Sequence, residues 1–328
     1  MTLILEALDY SRPIQPLFVQ AERAGFIHSI FPKALNIVVD DTLFVLLSAE
    51  VSRMPNSARL PACIMEQLYA KLSPGTGVCV GNGMLSIPIL DLTLHLPDTV
   101  AWEPVPVIAA HGWRHAIVAR HTHLLARHLA YRSQQDGLAH LVKPLLLHQA
   151  TWETPLAQIA LPLLRLLLQA SREQDMANIE KAARGLAGLG PGLTPSGDDT
   201  LGGFIGVMAL AGWQSGMDAA ASKHLIEVIA SAARPRTTLL SATLLAHAAR
   251  GEVAEHVGEL LMALSRPVEE TAMVLQAAES VLAYGACSGG DTLLGLLLGL
   301  QAAGIDYPID YTGEDYGHTS AAQAEYIL

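Results

Sequence analysis

The residues best suited to chemistry stand in two short segments that repeat one pattern. The first runs Ser196-Gly197-Asp198-Asp199-Thr200-Leu201-Gly202-Gly203, preceded by the turn-rich Gly190-Pro191-Gly192-Leu193-Thr194-Pro195. The second, Ser288-Gly289-Gly290-Asp291-Thr292-Leu293-Leu294-Gly295, lies 92 residues later and keeps the Ser, Gly, Asp, Thr, Leu and last Gly. Hydroxyls, carboxylates and glycines that let backbone approach closely can hold a small polar ligand, carry a proton and stabilise an oxyanion. The same residues also start helices. Serine three residues ahead of an acid is capping-box spacing, and acids suit the positive end of the helix dipole. Capping accounts for Ser and Asp in both copies. It has no need of the glycine beside each serine, of Asp198, or of the turn at 190–195.

Two glycine-flanked helix starts facing one another about a pseudo-twofold axis would make a shared anion site. In that arrangement Ser196, Asp199 and Asp291 are the candidates for catalysis. Gly190, Gly192, Thr194, Gly197, Asp198, Thr200, Ser288, Gly289, Gly290 and Thr292 are the candidates for binding substrate. Carboxylates repel an anion unless a cation or a protonated acid intervenes. Arg236, which follows Arg234 and Pro235, is the nearest cation in sequence to fill that role.

The elements that must position these residues are helices. From Trp113 onward apolar residues recur at three- and four-residue steps, with helices expected over 155–170, 172–186, 200–213, 219–233, 237–249, 252–264, 268–283 and 292–302, broken at Gly or Pro. The first hundred residues read as strands. Runs 34–39 and 42–47 flank Asp40-Asp41, and 77–80 and 84–90 flank Gly81-Asn82-Gly83, two hairpin signals. A further strand is expected over 91–96, and Pro97, Pro104 and Pro106 mark a linker. The expected fold is α+β: a small β-rich domain over 1–108, then a larger all-helical domain over 109–328 carrying the pseudo-repeat of a Ser-Gly-x-Asp-Thr helix start.

Composition narrows the function classes. Half the residues are apolar but only 5% are aromatic, so Leu, Ala, Ile and Val make the core, as in closely packed helices or a large subunit interface. A net charge of −11 leaves no basic face for nucleic acid. The most apolar run, 159–168, contains Pro162 and Arg165 and falls short of a membrane span. The chain opens with no basic region followed by an apolar core. Three cysteines without metal-ligand spacing fit a reducing cytoplasm. His111 and His115, at i and i+4, have the spacing of a metal-chelating pair but read as a solvated helix face. Cys287 reads as packing, since Pro195 stands at the matching place, and Asn82 reads as a turn. Neither a nucleotide-binding Lys loop nor a dinucleotide fingerprint is present.

The string GLGPGLTPSGDDTLGGFIGVMA, with Arg236-Thr237-Thr238-Leu239-Leu240-Ser241 and the second copy from Cys287, resembles the AllH-type subunit of oxamate carbamoyltransferase. The resemblance covers essentially the whole chain. It implies a role in anaerobic allantoin and purine catabolism, where oxalurate and phosphate give oxamate and carbamoyl phosphate. It further implies a small anionic substrate and an enzyme of three different subunits, so that this chain alone is inactive. No cofactor is evident, and magnesium stays open. Two rivals remain. Asp-Asp-Thr and Gly-Asp-Thr strings among helices are also similar to the magnesium-dependent ADP-ribosylglycohydrolases, although the second copy lacks their extra Asp after Thr292. The third reading is a non-catalytic scaffold that uses its glycine-rich helices as partner contacts.

Overall fold

The computed structural model describes residues 3–97, 100–108, 114–211 and 219–305. Its N-terminal part is one sheet. The strands are β1 (Leu3–Glu6), β2 (Asp9–Ser11), β3 (Arg23–Phe31), β4 (Ala34–Val39), β5 (Thr42–Ser48), β6 (Ser57–Leu60), β7 (Gly77–Gly81), β8 (Met84–Ile87), β9 (Leu92–His95) and β10 (Ala101–Trp102). Their spatial order is β1-β9-β8-β7-β3-β4-β5-β6-β2-β10. Both expected hairpins form, turning at Asp40 (φ 52) and at Asn82 (φ 52) with Gly83 (φ 85). Two short helices, α1 (Gln15–Val19) and α2 (Ala62–Lys71), interrupt the strands where none was expected.

Strands β4 and β5 carry nearly unbroken apolar runs because both of their faces are buried. Leu35, Ile37, Val39, Phe44 and Leu46 point into a core shared with α2 and the remaining strands. Ala34, Asn36, Val45 and Leu47 lie on the opposite face, toward the helices. A polar Asn36 at that buried position is exceptional within its strand.

The rest of the described chain is helical. It comprises α3 (His115–Arg132), α4 (Val142–Leu146), α5 (Pro155–Glu173), α6 (Met176–Leu186), α7 (Ser196–Ala211), α8 (Ala219–Ala233), α9 (Leu239–Ala248), α10 (Glu255–Ala263), α11 (Thr271–Leu282) and α12 (Ser288–Ala302). These helices share a second hydrophobic core. The helix expected from 172 begins instead at Met176. α5 runs on to Glu173, Gln174 turns left-handed (φ 57), and the Asp175 carboxylate accepts from Asn178 N at 3.1 Å to cap α6. No described helix is long and apolar enough to cross a membrane. His111, Trp213 and Gly216 lie outside the described residues, while His115 bonds the Gly304 carbonyl at 2.9 Å.

Short polar links tie the sheet to the helices at the start of α10. Arg53 N donates to the Glu255 carboxylate (3.1 Å), Glu255 N donates to Arg53 O (3.0 Å) and Val253 N donates to Pro104 O (3.0 Å). The Arg53 guanidinium bridges Glu255 to Asp9, which Arg59 also binds. Burial opposes the charge on Asp9, but the two arginines outweigh it and hold the carboxyl below its usual range.

Candidate functional site

Helices α7 and α12 cross with their backbones in contact. A Cβ on Gly203 would lie 2.2 Å from Thr292 O, and one on Gly295 would lie 2.0 Å from Thr200 O. Glycine at these two places is therefore a packing requirement. The glycine after each serine has a parallel reason: a Cβ on Gly197 would meet Leu186 O at 2.0 Å, and one on Gly289 would meet Val281 O at 1.9 Å. Each helix start is thus pressed against the end of the helix before it, α6 or α11.

Capping-box geometry is absent, which corrects the expectation drawn from spacing. Ser196 and Ser288 are the first helical residues rather than caps, and Cys287, the N-cap of α12, makes no side-chain cap bond. Five of the first-turn amides are satisfied by backbone carbonyls: Gly197 by Leu189, Asp198 and Asp199 by Pro195, Gly289 by Tyr284, and Asp291 by Cys287. The acids are thereby released to point across the crossing. Ser288 and Thr194 bond the Asp199 carboxylate and lie 3.2 Å apart, while Ser196 and Cys287 contact Asp291 and lie 3.8 Å apart.

The three acids differ in what holds them. Asp198 accepts from Gly188 N (3.0 Å) and from the Thr237 hydroxyl; burial still pushes its pKa up. Asp291 accepts from Leu138 N (2.5 Å) and Ala139 N (3.0 Å), and burial pushes it up to about 6. Asp199 has no backbone donor among its partners and its Oδ2 has no partner. Burial, helped by the charges of Asp291 and Asp198 and opposed by the neighbouring hydroxyls, pushes Asp199 up to about 8. At neutral pH it carries its proton. Cys287 is also pushed up, by burial and then by Asp291, and so remains a thiol.

The 190–195 turn is held from the side by the Arg236–Ser241 stretch. Thr238 donates to Leu193 O at 2.6 Å, Ser241 donates to the same oxygen at 3.3 Å, and the Thr238 hydroxyl caps α9 by accepting from Ser241 N at 3.1 Å. Gly188, Gly190 and Gly192 all take positive φ in this loop, and a Cβ on Gly188 would lie 2.4 Å from Arg236 O.

A cavity of about 220 Å³ opens between the sheet and this crossing. Asn36, Val45, Leu47 and Asn56 form the sheet wall; Thr194, Asp198, Asp199, Ser241, Ser288 and Thr292 supply polar groups from the helices. Tyr284 and His256 complete the lining as a stacked pair, ring centroids 4.8 Å apart, with the His256 Nδ1 3.0 Å from Ser52 Oγ. Burial pushes His256 down to about 4 and, with the Asp199 charge, pushes the Tyr284 phenol up, so both rings are neutral near pH 7. Glu252 also lines the cavity, but it is engaged by Arg250 (2.8 Å) and His247 (2.6 Å).

Of the expected site residues, the structure brings Thr194, Asp198, Asp199, Ser288 and Thr292 to the cavity. Ser196, Gly197, Thr200, Gly289, Gly290 and Asp291 lie behind it in the crossing; Gly190 and Gly192 shape the loop, and Arg236 is exposed away from the lining. Asn36, Asn56, His256 and Tyr284 join the site without having stood out in the sequence. The visible signal was Asn36, a polar residue inside an apolar strand. Among the described residues no group of three or more His, Cys, Asp or Glu side chains is placed to hold a metal ion.

Two family descriptions match the chain: "AllH family N-terminal domain" over residues 6–101 and "Oxamate carbamoyltransferase subunit AllH" over residues 186–300. Together they take in nearly all of the sheet, the glycine loop and both helix starts. No solved structure matches the chain.

Proposed function

The chain belongs to the AllH family, and from that premise we propose that it is one subunit of an oxamate carbamoyltransferase converting oxalurate and phosphate to oxamate and carbamoyl phosphate in purine catabolism. Family membership is the observation that carries this reading. In the reaction a phosphate oxygen attacks the ureido carbonyl carbon, an oxyanion develops there, and the bond to the oxamoyl nitrogen breaks as that nitrogen gains a proton. Asp199 is suited to supply that proton, being buried and neutral near pH 7. The proton released by phosphate restores it. Ser288 and Thr194 orient the acid. Ser196 and Asp291 hold the second helix start in place behind it. These reciprocal contacts support reading the two loops as copies of one unit.

The lining contains no Lys or Arg among the described residues. Phosphate and the oxalurate carboxylate need cations, so other subunits supply them, which agrees with a chain that is inactive alone. The test is co-expression with the two expected partner subunits, followed by an assay for phosphate-dependent release of oxamate from oxalurate. Asp199→Ala should abolish turnover while the complex still assembles. Loss of assembly would favour the scaffold role, and an assembled wild-type complex that releases no oxamate would sink the carbamoyltransferase reading.

A further inference from the structure

We infer that the cavity between the sheet and the helix crossing is a subsite for a neutral amide-type group, the carbamoyl end of a substrate, and that phosphate and carboxylate are held elsewhere. The ligand's identity rests on the carbamoyltransferase reading; its lack of charge follows from the cavity itself.

Cationic anchors are missing and most first-turn amides are already used. Among the described residues no Lys or Arg lines the cavity, and the amides of Gly197, Asp198, Asp199, Gly289 and Asp291 are already bonded to carbonyls. The acids that line it are Asp198, the protonated Asp199 and Glu252, the last already engaged by Arg250 and His247, and burial keeps His256 neutral. An anion entering this space would meet hydroxyl donors but no cation to offset the loss of its hydration in a low-dielectric wall.

The complement for a carbamoyl group is present. Asn56 is 1% exposed, lines the cavity, and donates through Nδ2 to Leu43 O at 3.3 Å. A carbonyl only accepts, so this bond fixes which end of the amide is NH₂ and leaves Oδ1 as the free end. Oδ1 has no partner in the protein and is closed to water, so a ligand donor reaches it with a small turn of the Asn56 side chain. A buried acceptor without a donor is costly, and a terminal carbamoyl NH₂ brings two donors. On the helix side the protonated Asp199 offers its O–H to the carbamoyl oxygen of the bound group, a hydrogen bond that precedes transfer of the same proton to the oxamoyl nitrogen. The sheet thus reads the nitrogen of the group and the helix start reads its oxygen.

The test uses N-acetylurea, which keeps the acylated ureido group and has no carboxylate, titrated calorimetrically into the full chain near pH 7. Saturable binding is expected, with Asn56→Ala weakening it at least about ten-fold. The analogue dimethylated on the terminal nitrogen has no donors for Asn56 and should also bind at least about ten-fold more weakly to the wild-type chain; this comparison holds even if the Asn56 variant fails to fold. Equal binding of the dimethylated compound, or displacement by inorganic phosphate, overturns the inference. If the assembled complex releases oxamate from oxalurate but neither it nor the free chain binds N-acetylurea, the subsite falls and the carbamoyltransferase reading stands. If the complex binds N-acetylurea saturably but shows no phosphate-dependent turnover, the subsite stands and the carbamoyltransferase reading falls.

Discussion

Gly202 and Gly203 are neighbours in α7 with opposite surroundings, so alanine at each should move stability in opposite directions. A Cβ on Gly202 would have its nearest neighbour, Leu245 Cδ2, at 3.9 Å, which is ordinary contact. Replacing an interior helical glycine then gains up to ~1 kcal/mol from propensity alone. On Gly203 the same atom would lie 2.2 Å from Thr292 O and 2.9 Å from Leu296 N, both backbone atoms of α12. Carbon and carbonyl oxygen settle at about 3.3 Å, so the helices would have to part by roughly 1 Å at the crossing. That movement stretches the Thr194–Ser288 contact, 3.2 Å in the native protein, past hydrogen-bonding range. Overpacking of this kind costs about 1–3 kcal/mol. The propensity gain offsets part of it, leaving Gly203→Ala about 0–2 kcal/mol less stable than wild type; the gain is common to both variants, so Gly203→Ala is ~1–3 kcal/mol less stable than Gly202→Ala. Urea unfolding of the two variants side by side, followed by circular dichroism, measures that difference. Equal midpoints, or Gly203→Ala the more stable, would refute the close crossing and with it the juxtaposition of the twin helix starts.

Two further predictions concern the acids. Asp199 titrates near 8 in the folded chain against an ordinary value of 3.8, so the native state binds the extra proton between these limits and stability falls as pH rises through that window. Asp199→Asn should remove this fall, and its advantage in melting temperature over wild type should grow from pH 5 to pH 8; a constant difference would put the carboxyl in its ordinary range. Asp291→Ala leaves the buried Leu138 and Ala139 amides without their acceptor, a loss of about 2–4 kcal/mol. A calorimetric melt showing no loss would mean that the 137–139 loop does not depend on Asp291.

Local signals were legible in the sequence and long-range ones were not. The hairpins at Asp40 and Asn82 were readable because a turn needing positive φ announces itself within four residues. The strands β1 and β10 were not, since they pair in parallel with β9 and β2 across long stretches of chain and are only two to four residues long. Helix α2 was absorbed into a block read as strands. At the site, the paired helix starts stood out, and so did the surplus glycines. What the glycines serve was not visible, because the atoms they admit, Leu186 O, Val281 O, Thr292 O and Thr200 O, come from elements brought close only by folding. The Arg236–Ser241 stretch marked a family without revealing that its hydroxyls, rather than its arginine, hold the glycine loop.

Spacing also misled in an instructive way. Ser-x-x-Asp suggested that each acid closes on its own helix start, whereas each lies beside the hydroxyl of the other copy. A cap would have kept the acids ionised and exposed at a dipole. Crossing the helices instead buries them, and burial separates their fates according to the donors each can find. Asp198 and Asp291 bond backbone amides and serve the architecture. Asp199 finds hydroxyls alone, stays protonated near pH 7 and lines the cavity, at a cost in stability. A buried acid kept neutral beside a cavity is the property a proton donor requires. In the proposed reaction the glycines that permit the crossing thus serve the proton donor: without backbone contact between α7 and α12, Asp199 would be an ordinary carboxylate at an ordinary helix start.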